Sequence, residues 1–504
     1  MKKERVLLIT PNLNGIKDGL NRIQPPLGLM LIANLVEKDG HIVKIHDTAL
    51  EGWNTRREIS SRGLIEIGQT DDEITNLIKD FNPTVVGISV LFSNLINSTH
   101  KIAKIVKKTN KDIITIIGGN HISNAVKDYQ YNIVAKIPEL QDTIPDLEND
   151  YIDFAIIGES DHGFAKIINN ISEKKSIDNL PGVVKRISKK KFIINHPERI
   201  NDISNLHAPA RHLVNMEGYF NIGAFHSAKS KSNRVLSVMC SRGCPEKCTF
   251  CTTPQMWGTK VRWRGIDNII DEIEDGVKNY QIGEIQFEDD TLTANKKRLI
   301  ELCSRLEKFG LPWCTPNGVK VNYHLAGQND MFKAMHNSGC YQITLACESG
   351  VQRVLDNIIN KRLNVEQIKP AIENAKKAGM LVHTFWILGY PGETFEEINK
   401  TVEFAMECGA DSFSFAILSP LPGTPIYREV LKNNLWWDLN TSIDDLLYRS
   451  SLIKVDGFQS ASEFENFVTN VNLKANSLLK DKNPERFKLK YGSDVSEKNL
   501  VKQT

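Results

Sequence analysis

The sequence is short of several things, and each shortage excludes something. No stretch approaches the roughly 18 consecutive apolar residues of a membrane-spanning helix, so no transmembrane segment is expected. Neither charge dominates: 63 Lys and Arg face 61 Asp and Glu, a net of +2, which gives no global electrostatic case for nucleic-acid binding. No Gly-x-Gly-x-x-Gly follows the first apolar run, which disfavours a dinucleotide site. There is no internal repeat. The basic run 480–490 reads as a solvated face. The start, Met1-Lys2-Lys3-Glu4-Arg5, runs straight into Val6-Leu7-Leu8-Ile9, which is too short for a signal-peptide core. A cytoplasmic, reducing compartment suits the free thiols.

What is present is ordinary globular composition, 41% hydrophobic and 25% charged, in 504 residues, enough for two or three domains. In the first third, short apolar runs (6–10, 42–47, 85–90, 113–118, 154–158) alternate with helical segments (27–38, 71–80, 94–109, 161–170). That alternation predicts a parallel sheet covered on both faces, of Rossmann or flavodoxin-like type, with ligands beyond the carboxyl ends of its strands. The residues expected at those ends are Pro26 and Gly28, Ser89, Gly119 and His121, and Glu159. The glycines either make turns or let backbone approach a ligand.

A connector with a small hairpin (183–187, 192–195) is expected over 176–232. The alternation then resumes. Strands are predicted at 236–239, 284–288, 313–315, 342–347, 382–388 and 412–418, and helices at 267–278, 296–309, 328–337, 365–378 and 395–408. Six such units imply an incomplete (β/α)6 barrel, whose chemistry would sit at the carboxyl strand ends. Glu288-Asp289-Asp290 ends the second strand, its acids either capping the next helix or contacting a ligand. Glu348-Ser349-Gly350 ends the fourth, and Gly389-Tyr390-Pro391-Gly392-Glu393-Thr394 the fifth. The resulting division is 1–175, 176–232, 233–430 and a helical, charged extension over 431–504. In that extension Trp436-Trp437 either packs the tail or lines a pocket.

Right after the first of these later strands comes Cys244-Pro245-Glu246-Lys247-Cys248-Thr249-Phe250-Cys251, spaced Cys-x3-Cys-x2-Cys. Three thiolates this close can hold three irons of a [4Fe–4S] cube and leave the fourth open to a small molecule, whereas electron-carrying clusters use four cysteines. Zinc competes, but structural zinc sites pair two such arms, and no second arm exists here. Cys240 and the five remaining cysteines read as small apolar packing residues.

The lead-in Ser241-Arg242-Gly243-Cys244-Pro245, the three cysteines, Phe250 before the last of them, and the Glu348-Ser349-Gly350 turn together resemble the radical S-adenosylmethionine (radical SAM) superfamily. The resemblance implies that Cys244, Cys248 and Cys251 bind the cluster and that S-adenosylmethionine (AdoMet) occupies the open iron. It also implies that Phe250 lies near the adenine, and that Glu348 and Ser349 approach the ribose or amino-acid part. The N-terminal series Pro25-Pro26-Leu27-Gly28, Gly118-Gly119-Asn120-His121 and 153–159 resembles the cobalamin-binding domain of one branch of that superfamily. His46-Asp47-Thr48 reverses the Asp-x-His order of mutase-type domains, so cobalamin without a histidine beneath the cobalt is implied. His121 is then either a hydrogen-bonding loop residue or a cobalt ligand. The implied activity is methylation of an unactivated carbon in a small molecule or peptide, with flavodoxin or ferredoxin as electron donor. A cobalamin-assisted rearrangement or oxidative cyclisation is the alternative.

Overall fold

The computed structural model describes residues 3–482 and 484, apart from 18, 20, 60–62, 137, 140, 228 and 229. Most of the basic run 480–490 lies outside the described residues.

Five parallel strands, Arg5–Thr10, Ile42–Asp47, Val85–Ser89, Ile114–Gly118 and Phe154–Ile156, form the first sheet in the spatial order 2-1-3-4-5. Their apolar runs are continuous because both faces are buried. Along the first strand, Leu7 and Ile9 enter one core with helices Asp71–Phe81, Ile96–Thr109 and Asn120–Ala135. Val6 and Leu8 enter the other with helices Leu27–Lys38 and Asp161–Ser172.

The hairpin Val183–Ser188 and Lys191–Ile194 extends this sheet instead of standing in a connector. Val183 and Val184 pair antiparallel with Ile156 and Ala155, so the hairpin completes an apolar edge. Two further elements were not expected. One is the helix Asn120–Ala135; the other is a small antiparallel sheet of Leu13–Ile16, Leu64–Ile67 and Arg56–Glu58.

The second sheet has six parallel strands in sequential order: Val235–Val238, Glu284–Phe287, Trp313–Lys320, Cys340–Glu348, Leu381–Leu388 and Ser412–Ile417. The expected helices lie between them, all feeding one large core. The final helix, Ala461–Lys482, seals the sixth strand. Asn472 accepts from the Phe415 N–H at 3.0 Å and donates to its carbonyl at 2.9 Å, pairing an edge that would otherwise stay open. The extension is less helical than expected: residues 433–460 are largely irregular, pinned by a bridge between Trp436 and Ile453.

Taken together, the chain is a mixed α/β protein with two sheet regions and a helical end. No described helix is long and apolar enough to cross a membrane.

Candidate functional site

The cysteine loop begins where the first strand of the second sheet ends. Ser241–Arg242 leaves that strand and pairs antiparallel with Arg262–Trp263, closing a clasp around the loop. Gly243 has φ +106°, and a Cβ there would lie 2.3 Å from the Lys260 carbonyl, so only glycine permits the clasp. Further along, Thr249 donates through N–H to the Ile359 carbonyl (2.9 Å) and through its hydroxyl to the Ile358 carbonyl (2.7 Å). Glu246 is buried and paired with Lys320 (2.6 Å) and Arg362 (3.0 Å), and it accepts from the Tyr323 hydroxyl (3.0 Å).

All three thiols are partly buried. Burial pushes Cys244 up to about 12 and Cys248 up to about 11, and raises Cys251. Thiols in such surroundings stay protonated unless a cation takes the proton's place, and a metal cluster does that. Among the described residues no three His, Cys, Asp or Glu side chains converge as a lone metal ion would require. A cube spreads its irons, so three thiolates reach three separate atoms without converging. The donor set fits an iron–sulfur cube better than zinc.

Lys361 beside the thiols was not anticipated, whereas Glu288 and Asp290 belong to the acidic strand end expected either to cap a helix or to contact a ligand. Lys361 is buried and pairs with Glu348 at 2.8 Å. Burial works against its charge, but Glu348 and the nearby Cys248 and Cys251 outweigh that and raise it. Asp290 is pushed up to about 6 by burial and accepts from the Thr253 hydroxyl at 3.1 Å. Glu288 pairs with His226 at 2.7 Å, while its other oxygen is buried without a hydrogen-bond partner among the described residues. Only the acidic run at 288–290 left a signal in the sequence.

The expected site residues fall into three groups. Phe250 lies half-buried against the Tyr390 ring, centroids 6.0 Å apart. Glu348 ends its strand in a left-handed conformation, φ +68°, with its carboxylate on Lys361.

Asp289 and Ser349 instead serve the backbone. The Asp289 carboxylate is buried, is pushed up to about 7 by that burial, and accepts from the Cys240 N–H and the Ser241 hydroxyl. It holds the turn before the cysteine loop. Ser349 is fully buried; its hydroxyl bonds to Thr401 and accepts from the Val351 N–H.

In the first sheet, Pro26, Gly28, Ser89 and Gly119 stand at the carboxyl edge. Nothing lies within 4 Å of a Cβ built at Gly28, whereas Gly119 (φ +118°) would clash with Val90. His121 has the hydrogen-bonding role that was one of its two readings, but it sits in the first turn of the unexpected helix, not in a loop, and is buried. Its Nδ1 faces the Ser93 hydroxyl (2.9 Å) and its Nε2 faces Asp146 (3.3 Å), so both ring nitrogens are engaged and neither is open to cobalt. Glu159 is also committed, pairing with Arg242 (3.3 Å) and Arg262 (2.5 Å) of the cysteine clasp. The same edge holds three buried oxygens without a hydrogen-bond partner among the described residues: Thr10 Oγ1, Asn12 Oδ1 and Gln24 Oε1. Unpartnered polar oxygens at this edge, together with the open space at Gly28, suit the amide-fringed corrin of a cobalamin.

The two carboxyl edges face each other. Besides Arg242, Asn120 donates to the Thr252 hydroxyl (3.1 Å), and Asp128 accepts from the Gly423 N–H and pairs with Arg428 (2.8 Å).

Residues 238–405 match the family model of the radical SAM superfamily, and residues 18–148 match that of the B12 binding domain. Two facing α/β sheets with a three-thiol loop at the seam define a B12-binding radical SAM protein. The cytidylyl-2-hydroxyethylphosphonate methyltransferase of Streptomyces wedmorensis is 31% identical over 497 residues, covering 93% of this chain and 89% of that one. An uncharacterized methyltransferase of Pyrococcus horikoshii is 30% identical, covering 89% and 88%. The chain belongs to the cobalamin-binding radical SAM family. Two solved structures share the fold at 16% identity. The cobalamin-dependent radical enzyme OxsB has a TM-score of 0.67, covering 95% of this chain and 67% of its own. The methyltransferase TsrM of Kitasatospora setae has 0.63, covering 84% and 76%.

Proposed function

We propose that this chain is a cobalamin-dependent radical SAM methyltransferase that methylates an unactivated carbon of a small molecule or peptide. The observation that carries the reading is the placement of Cys244, Cys248 and Cys251 at the seam where both carboxyl edges meet, tied across it by Arg242. The names of the two relatives at 31% and 30% identity support methyl transfer over cyclisation. The Streptomyces name, a cytidylylated hydroxyethylphosphonate, makes small anionic molecules the first class to test.

In this reading residues 1–175, extended by the hairpin, form a flavodoxin-like cobalamin domain. Residues 233–430 form a partial (β/α)6 barrel, 176–232 the remainder of the connector, and 431–504 a covering extension. When bound, the cluster supplies the electron that cleaves AdoMet, and cobalamin supplies a methyl relay. The chain's own part is placement and exclusion of water. Cys244, Cys248 and Cys251 give up their protons to hold the cluster. Lys361 sets a positive charge beside Cys248 and Cys251. Asp290, near Cys244 and Cys251, is placed to accept from the ammonium of AdoMet, and Phe250 to pack its adenine. Thr10, Gln24 and the Gly119 backbone are the groups at that edge that would hold the corrin. The electron comes from a separate carrier, in a cytoplasmic setting.

The test is anaerobic reconstitution with iron, sulfide and hydroxocobalamin, then reduction with AdoMet and candidate substrates present. 5′-Deoxyadenosine together with S-adenosylhomocysteine is expected. Deoxyadenosine with no S-adenosylhomocysteine favours cyclisation or rearrangement, and neither product overturns the reading.

A further inference from the structure

The segment that follows the fourth strand of the second sheet is built under strain. Val354–Ile359 winds as a π-helix, a rare form that is frequent at functional sites. Asn360 and Arg362 then both take left-handed backbone, φ +56° and +53°, as does Glu348 at the strand's end, φ +68°. A non-glycine residue in that region costs on the order of 1–3 kcal/mol and persists only where its surroundings hold it. What holds this segment is the cysteine loop, to which it runs antiparallel. The Ile358 and Ile359 carbonyls accept from Thr249, and Asn360 donates to the Lys247 carbonyl (3.4 Å). Arg362 donates to the Pro245 carbonyl (2.6 Å) and to Glu246 (3.0 Å).

Lys361 stands between the two left-handed residues. Asn360 and Arg362 are exposed on the outer side of the loop, whereas Lys361 is buried on its inner side. Its ammonium lies 2.8 Å from the Glu348 carboxylate, and its charge also reaches Cys248 and Cys251. At Cys248 that charge outweighs the opposing one of Glu348, so the pair turns its positive end to the thiols. The loop is already anchored by the bonds from residues 358–360 and 362. Taking an ammonium out of water costs several kcal/mol, so a lysine buried here does something that an apolar side chain would not.

We infer that Lys361 is the fixed charge that raises the reduction potential of the cluster held by Cys244, Cys248 and Cys251. The inference rests on the cluster reading. Three thiolates leave the oxidised 2+ cube with a net negative charge. One electron from the reductant makes it more negative, and no bond forms or breaks. A positive charge beside two of the thiolates, in a site closed to water, lowers the cost of that added charge. Glu348 is then the tether that keeps the ammonium in place.

The test is a redox titration of anaerobically reconstituted full-length protein with dithionite, without AdoMet, following the electron paramagnetic resonance of the reduced cluster. For Lys361→Met, reduction is expected to be disfavoured about ten-fold or more, a fall of about 59 mV in a one-electron midpoint. Lys361→Arg keeps the charge and should stay nearer to wild type than to Lys361→Met. Because Lys361→Met strands Glu348, the double variant Lys361→Met with Glu348→Gln is titrated as well. It leaves neither charge unpaired, and its midpoint should also fall, by less. Wild-type midpoints in both neutral variants at full iron content would overturn the inference. So would a fall with Lys361→Arg as large as with Lys361→Met, or loss of iron from both neutral variants, which would make Lys361 a folding residue. Wild-type protein that takes up no [4Fe–4S] cluster would instead sink the cluster reading.

Discussion

Arg242 and Asp161 meet as a two-pronged pair, each terminal guanidinium nitrogen 2.9 Å from a carboxylate oxygen, across the seam between the two sheets. Both are buried, and Trp257 stacks on the guanidinium at 4.8 Å. Removing the only partner of a buried charge costs about 3–5 kcal/mol; Glu159 stays beside Arg242 at 3.3 Å, so losing Asp161 costs less than that. Asp161→Ala should still lower the thermal midpoint. It should also reduce iron retained after reconstitution, because Arg242 precedes the cysteine loop. A midpoint and iron content equal to wild type would contradict this.

Gly243→Ala tests the clasp itself. The left-handed backbone alone costs roughly 1–3 kcal/mol, and the new methyl meets the Lys260 carbonyl. The expected outcome is weaker iron incorporation, read by colorimetric iron assay, with far-ultraviolet circular dichroism close to wild type because the strain is local.

Cys248→Ala removes one of the three thiolates. The reconstituted variant should lose its brown colour and form no 5′-deoxyadenosine above background. Turnover that persists would show that the cluster is held elsewhere.

Glu393 gives a pH signature. Burial pushes its carboxyl up to about 7, against N–H donation from Tyr390 and Gly389. The folded protein thus keeps a proton that the unfolded chain releases near 4.5. Stability from this group is complete below about pH 4.5 and is lost as pH rises through about 7, on the order of 3 kcal/mol in all. Glu393→Gln cannot titrate, so its thermal midpoint should fall less than that of wild type between pH 5 and pH 8. Parallel curves would show that Glu393 does not titrate in that range.

Much of the architecture was legible because burial leaves a plain trace. The helices Leu27–Lys38 and Gln328–Asn337 begin and end where their apolar spacing does. The helix Asn120–Ala135 left no such trace. Asn124 and Asp128 on its buried side face Gly423 and Arg428 across the seam instead of apolar core, so the stripe that announces a helix is polar there. The small sheet was hidden for a related reason: its strand Arg56-Arg57-Glu58 is charged throughout and earns its place by pairing with Leu64–Ile67. At the site, spacing disclosed the cysteines. It did not disclose Lys361, which reaches Glu348 from 13 residues further on, nor the use of Asp289 and Ser349 to hold turns.

Arg242 is answered by Glu159 and Asp161, both from the other half of the chain. A truncated gene encoding only the second half would deliver the cysteines with a bare guanidinium at their base. The two halves are therefore poor candidates for separate expression or for exchange between relatives, because the salt links at their border need both.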